Sequence, residues 1–205
     1  MQYLVGIDEA GRGPLAGPVA VGAVALSPAF DFSLVEGVKD SKQLTAGARE
    51  AIYKQMQQLQ RARLLDFAVS FASAAVIDSR GIVPAIRSAL ARSLAKLRLA
   101  PGSCEVRLDG NLYAPTQFTM QRTIIRGDET EPVISLASIA AKVERDRYMV
   151  RLARRYPAYA FDVHKGYGTK THRELIARHG VCPEHRATFC ANMFARILQN
   201  SDIVA

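Results

Sequence analysis

Hydrophobic and polar positions alternate with a period of two over five stretches and with a helical period between them. Near the start, Leu4, Gly6 and Asp8 share one face of an extended segment, and Val5, Ile7 and Glu9 share the other. This predicts a strand that stops at Asp8 or Glu9, because Ala10-Gly11-Arg12-Gly13-Pro14 forces a bend. Pro18 to Leu26, rich in valine and alanine and bounded by Gly17-Pro18 and Ser27-Pro28, reads as a second strand, central in a sheet. Residues 29–45 are loop-like. Thr45 is placed to cap a helix reaching about Ala62, with Ala48, Ile52, Met56 and Leu59 as its buried stripe. Leu64 to Ala72 is a third strand. The segment after it is helical to about Leu99, with Pro84 in an early turn and Ile86, Leu90, Leu94 and Leu97 on one face.

Cys104 to Leu108 reads as a strand with Asp109-Gly110 at its exit, and Phe118 to Ile125 as another that leads into Arg126-Gly127-Asp128. A helix is predicted from Ile134 to about Arg155. Leu136, Ile139, Ala140 and Val143 form its apolar face, while Ser135, Ser138, Lys142 and Arg145 form a polar side able to meet a phosphate backbone. Pro157 closes it, and Thr169 or Thr171 caps a last helix through His179.

With 205 residues, 49% of them hydrophobic, the chain is long enough for one α/β domain with a core over about 1–160 and a helical part over about 161–205. The apolar run Val19 to Leu26 is too short to span a bilayer, and Asp8 and Glu9 break any signal-peptide pattern. Three cysteines, Cys104, Cys182 and Cys190, make no disulfide framework. The expectation is a cytoplasmic monomer with no membrane partner. A net charge of +8 favours a polyanionic partner. Ser138 to Arg173 holds nine basic residues against three acidic ones, interleaved with Tyr148, Tyr156, Tyr159 and Tyr167. That is the composition of a nucleic-acid surface, although a solvated basic helix gives the same count.

Carboxylates recur where strands end: Asp8 and Glu9, then Asp109, then Asp128. Ionised carboxylates crowded together repel and raise one another's pKa, a penalty that a cation removes. Oxygen-only donors suit Mg²⁺ or Mn²⁺, with a phosphodiester substrate supplying further oxygens. Two such ions about 3.5–4 Å apart can activate a water and stabilise a leaving 3′-oxygen. Gly11-Arg12-Gly13 can lie against a phosphate with its backbone N–H groups exposed. Lys42 touches a phosphate or is merely surface. His164-Lys165-Gly166-Tyr167-Gly168-Thr169 puts a base, a flexible backbone and an aromatic ring in one turn. His179, Cys182, His185 and Cys190 offer zinc donors at a spacing that matches no finger pattern.

The opening Gly6-Ile7-Asp8-Glu9-Ala10-Gly11-Arg12-Gly13-Pro14 resembles bacterial ribonuclease HII, as do Asp40-Ser41-Lys42-Gln43-Leu44 and Asp109-Gly110-Asn111. So do Gly127-Asp128 ahead of Ala137-Ser138-Ile139-Ala140-Ala141-Lys142-Val143-Glu144-Arg145-Asp146, and His164 to Thr169, all in order and spacing over residue 3 to about 190. The resemblance implies a ribonuclease H-like fold: a five-stranded mixed sheet flanked by helices, with a small C-terminal helical part. It implies cleavage of RNA in RNA–DNA hybrids, and 5′ of a lone ribonucleotide in duplex DNA, leaving 3′-hydroxyl and 5′-phosphate ends. By the same resemblance Asp8, Glu9, Asp109 and Asp128 hold the metals, and Gly11, Arg12 and Gly13 read the ribose 2′-hydroxyl. Tyr167 stacks on the following sugar, and Lys42, Ser138 and Lys142 grip phosphates. Two features depart from the family pattern. Glu129-Thr130-Glu131 brings negative charge after the fourth acid, and Gly81 stands where an asparagine that helps contact the minor groove is common. A resolvase-like or ribonuclease HIII-like nuclease, and a non-catalytic nucleic-acid-binding module, are the competing readings.

Overall fold

The computed structural model describes residues 2–35, 38 and 44–191. Among them, β1 (Tyr3–Ala10), β2 (Val19–Leu26), β3 (Leu65–Ala72), β4 (Cys104–Asp109) and β5 (Gln121–Ile124) form one sheet in the order β3-β2-β1-β4-β5. β1 pairs antiparallel with β2 and parallel with β4, so the sheet is mixed. β1 is the middle strand, and β2, flanked by β1 and β3, is interior to the sheet as expected. β2 is buried along all eight of its residues, and that full burial is what its unbroken apolar run encodes.

Helices cover both faces. Thr45 caps α1 (Ala46–Arg61) by accepting from the Ala48 N–H. The segment after β3 is two helices, α2 (Ala74–Arg80) and α3 (Ile82–Lys96), and not the single one expected. They break at Gly81, whose φ of 83° and ψ of 161° lie in a region open essentially to glycine alone. This backbone conformation accounts for glycine at position 81 of this chain. α4 (Gly127–Thr130) is a single turn, and α5 (Pro132–Arg155) begins two residues before the predicted Ile134, with proline in its first turn. α6 (Phe161–His164) and α7 (Lys170–His179) follow, Thr169 caps α7, and residues 187–191 are again helical. The strand expected from Phe118 shrinks to β5, because Phe118 itself turns inward and plugs the core.

On one side of the sheet Val5, Ile7, Val21 and Ala23 pack against Ile86, Leu90 and Leu94 of α3. On the other, Val24 and Leu26 pack with Ile52 and Met56 of α1 and Ile134, Leu136 and Ile139 of α5. α5 comes unusually close to the strands. A Cβ on Gly6 would lie 2.2 Å from the Val133 carbonyl oxygen, and one on Gly22 would lie 2.3 Å from that of Ala137. Two glycines facing one helix thus let backbone meet backbone and fix where Ser138, Lys142 and Arg145 stand relative to the end of β1.

The later part of the chain folds back onto the loop after β1. Arg186 N–H donates to the Leu15 carbonyl at 2.7 Å, Gly17 N–H to that of Glu184 at 2.8 Å, and Leu15 N–H to that of Gly166 at 2.9 Å. Among the described residues no helix is long and apolar enough to cross a membrane.

Candidate active site

β1 and β4 run parallel with Ile7 opposite Leu108, so the next residue on each strand is an aspartate, Asp8 beside Asp109. β1 continues through Glu9 to Ala10, which pairs with Ala20, and does not stop at Asp8 or Glu9 as the glycines suggested. The bend falls at Gly11, after the strand. α4 brings Asp128 to the same place: its N–H donates to Asp109 Oδ1 at 3.3 Å, and the Ser135 hydroxyl holds its carbonyl at 2.5 Å.

Asp8 is 5% exposed. Burial, followed by the charges of Glu9 and Asp109, pushes its carboxyl well above the ordinary range, against the pull of the Ser138 hydroxyl and the Glu9 N–H. Glu9 is raised too, chiefly by burial, with Arg12 opposing the shift and Asp109 adding to it. Arg12 meets Glu9 Oε1 at 3.2 Å. These groups are acceptor-only oxygens under mutual repulsion, and that fits a hard divalent cation. Among the described residues no three acids, histidines or cysteines converge tightly enough to cage an ion on their own. Mg²⁺ needs no such cage, since it keeps waters and takes oxygens from bound phosphates.

Beside the acids lies a cleft of ≈ 360 Å³ lined by Glu9, Gly11, Arg12, Gly13, Ser138, Lys142 and Tyr167, with Arg49 on its rim. Seven residues singled out from the sequence thus line one depression. Lys42 lies outside the described residues. Gly11 and Gly13 are there for different reasons. Gly11 has φ +88° and a Cβ on it would sit 1.9 Å from Arg145 Nε, so its constraint comes from the protein interior. A Cβ on Gly13 would meet nothing within 4 Å, so any constraint there comes from what enters the cleft.

Tyr167 is 40% exposed and stands 5.8 Å from Lys142 Nζ and 5.5 Å from the Arg145 guanidinium, measured to its ring centre. Its carbonyl accepts from His172 Nδ1 at 2.9 Å. That fixes the tautomers behind it: His172 Nε2 must accept from His185 Nε2–H at 3.2 Å, and His185 Nδ1 then accepts the Cys182 N–H at 2.9 Å. Burial lowers the pKa of all three histidines of this group, His164, His172 and His185, and brings His172 to about 4. The zinc reading fails on the same contacts. His185 is committed to His172 and Cys182, and Cys190 Sγ lies near the Leu15 carbonyl at 3.8 Å.

Several expectations need correction. Arg145 and Ser135 are not surface groups for phosphate; both are 0% exposed. Within the basic stretch, Arg147 contacts Glu50 and Glu144, Lys142 pairs with Asp146 at 2.7 Å, and Tyr159 is buried. The charge of Glu129 and Glu131 does not simply add to the acids. Glu131 meets Arg107 at 2.6 Å and Glu129 meets Arg126 at 2.5 Å. The sequence reading missed Arg49 and Arg186. It misassigned Arg145, although the buried stripe Ala137, Ala141, Met149 and Leu152 of α5 passes through that position at helical spacing.

Residues 5–196 match the family model described as Ribonuclease HII. The ribonuclease HII of Delftia acidovorans is 46% identical over 186 residues, covering 91% of this chain and 75% of that protein. Among solved structures, the RNase HII of Archaeoglobus fulgidus, determined as a complex with PCNA, superposes with a TM-score of 0.72 at 26% identity, over 90% of this chain and 94% of that one. Bst-RNase HIII, determined in complex with Mn2+, shares the fold at a TM-score of 0.65 and 21% identity, over 87% and 63% of the two chains.

Proposed function

The chain belongs to the ribonuclease HII family, metal-dependent endoribonucleases that cleave RNA–DNA hybrids, and from that premise we propose that Asp8, Glu9, Asp109 and Asp128 are its catalytic and metal-binding residues. What carries this reading is the meeting of Asp8, Glu9 and Asp109 at one strand end, where burial and like charge drive the Asp8 carboxyl up. Such a set is costly to ionise alone and becomes favourable around a cation. Bound Mg²⁺ or Mn²⁺, two ions with substrate present, would supply activation of water and stabilisation of the departing 3′-oxygen.

The chain's own groups divide the remaining work. Ser138 donates to Asp8 and lines the cleft, so it orients that carboxylate and meets the scissile phosphate. Lys142 exchanges Asp146 for a phosphate, and Lys42 contacts another. Gly13, open on its outer side, admits the sugar backbone, and the N–H groups of Gly11-Arg12-Gly13 meet the 2′-hydroxyl that separates RNA from DNA. Tyr167, half-exposed over Lys142 and Arg145, stacks on the sugar that follows. The substrates are RNA–DNA hybrids and duplex DNA carrying a single ribonucleotide, cut on its 5′ side to leave 3′-hydroxyl and 5′-phosphate ends. The enzyme works as a cytoplasmic monomer of one domain, in keeping with three free cysteines.

The test is cleavage of a labelled duplex containing one ribonucleotide, beside all-DNA and RNA–DNA controls, with Mg²⁺, Mn²⁺ or chelator. Cutting 5′ of the ribonucleotide only when metal is present supports the reading. Cutting of all-DNA duplex at a similar rate would move it to a resolvase-like nuclease.

A further inference from the structure

Arg145 and Arg186 are among the largest fully buried side chains of the protein, and no carboxylate forms an ion pair with either among the described residues. Burying a guanidinium is costly unless its N–H groups are met. Both spend them on one stretch of backbone, apart from Arg145 Nη1, which meets no acceptor among the described residues. Arg186 donates to the carbonyls of Gly11 at 2.6 Å, Arg12 at 2.8 Å and Gly17 at 3.0 Å, and Arg145 donates to those of Pro18 at 2.9 Å and Ala16 at 3.3 Å. A trans peptide is planar, with its carbonyl and the following N–H pointing in opposite directions. Holding the Gly11 and Arg12 carbonyls inward therefore turns the Arg12 and Gly13 N–H groups away from Arg186, on the stretch that lines the cleft.

Arg186 is itself held from a third place. The half-buried Asp78 of α2 accepts the N–H groups of Ala187 at 2.8 Å and Thr188 at 3.0 Å, and the Thr188 hydroxyl at 2.6 Å. Its charge also attracts the guanidinium. α2 thus grips the two residues after Arg186, and Arg186 grips the back of the loop.

We propose that Arg186 is a positioning residue for ribonucleotide recognition, a strut that sets the outward N–H groups of Arg12 and Gly13 and is fixed in register by Asp78. This rests on the reading that the Gly11-Arg12-Gly13 backbone meets the 2′-hydroxyl. Lysine at 186 keeps the charge but has one ammonium group in place of a planar fork, so it cannot span three carbonyls in the same way. Asp78 touches neither the cleft nor the loop, and Asp78→Asn removes its charge while keeping its shape.

The experiment combines steady-state kinetics on the single-ribonucleotide duplex with amide hydrogen exchange, for wild type, Arg186→Lys, Asp78→Asn and Gly13→Ala. The strut predicts faster exchange at residues 11–13 in Arg186→Lys and Asp78→Asn, with exchange in β2 and α5 unchanged. It also predicts a kcat reduced about tenfold or more in Arg186→Lys and severalfold in Asp78→Asn, with KM nearly constant. Should Arg186→Lys fail to fold, Asp78→Asn alone decides. Loop exchange and kcat both at wild-type level in the folded variants overturn the proposal, as does general loosening of α5 and β2 together with the loop. Gly13→Ala separates this failure from that of the underlying reading, because its added Cβ meets nothing in the protein and stands where the substrate would approach the loop backbone. Lost cleavage in Gly13→Ala with normal kcat in the other two leaves the loop's role standing and removes the strut. Normal cleavage in Gly13→Ala, with loosened loops and normal kcat in the others, removes the loop's role and the strut with it.

Discussion

Two polar regions lie back to back beneath the cleft, and they are built on opposite principles. At the end of β1 and β4 like charges are crowded: Asp8 and Glu9 are raised by burial and by the charge of Asp109, and only part of that is offset by Ser138, Arg12 and the Glu9 N–H. Behind the loop, buried cations and imidazoles meet carbonyls and ring nitrogens that suit them, from Arg186 on Gly11 to His172 on Tyr167. The first region stores repulsion that a ligand relieves. The second has most of its polar groups already met, with Arg145 Nη1 as an exception, so it can hold the cleft in one shape whether or not substrate is present.

The sharpest way to break this contrast is to neutralise the strained side. Asp8→Asn or Asp109→Asn should abolish cleavage while hybrid binding, read by fluorescence anisotropy, stays within a few-fold of wild type. Asp8→Asn should also raise the unfolding midpoint of the metal-free protein by about 2–4 °C, the shift that ~1 kcal/mol gives in a chain of this size. A lowered midpoint would show that the carboxylate is not under strain. A smaller effect is expected where the two regions meet. Tyr167→Ala should cost roughly 1–3 kcal/mol of stacking, about 5- to 150-fold in kcat/KM at a single ribonucleotide and less on a continuous hybrid. Equal losses on both substrates would place the defect in folding.

Acid separates the regions by sign. His164, His172 and His185 all have lowered folded pKa values, with His172 at about 4. The unfolded chain binds more protons than the folded one below about 6.5, the ordinary histidine value. Their contribution to stability is therefore complete above about pH 6.5 and is lost as pH falls toward 4. Urea unfolding across that window should show stability falling, and His172→Asn should flatten the fall. The raised Asp8 works in the other direction, since its folded form binds a proton more readily than the unfolded chain. The smallest effect is expected outside both regions. Glu129→Gln, which removes an exposed-edge partner of Arg126, should change stability by no more than about 0.5 kcal/mol and leave kcat close to wild type. A large gain in rate would mean that its charge does reach the acids.

What could be read in advance follows from how far each signal travels along the chain. Strands, helix caps and the strand-end acids were legible because each is written within a few residues: alternation, a threonine before a helix, an aspartate before a glycine. The break at Gly81 was missed because an apolar helical rhythm runs through it, and only the backbone angles show that the helix stops. β1 outlasted its predicted end because pairing with Ala20 and Val21 holds Glu9 and Ala10 extended. Arg145 was assigned to the polar face because an arginine in a helix usually reaches solvent. Its partners at Ala16 and Pro18 lie 129 and 127 residues away, beyond any local pattern. The strand-end carboxylates beside the cleft were therefore visible in the sequence and their support was not.

The hydrogen bond from Arg186 to Gly11 joins positions 175 residues apart. At a synthesis rate of about 5–20 residues per second, the loop waits roughly 9–35 s on the ribosome before the side chain that closes over its back has been made. Only once Asp128 has been made does a nascent chain hold all four strand-end acids, and from there to Arg186 the back of its Gly11–Arg12 loop still lacks the side chain that closes over it.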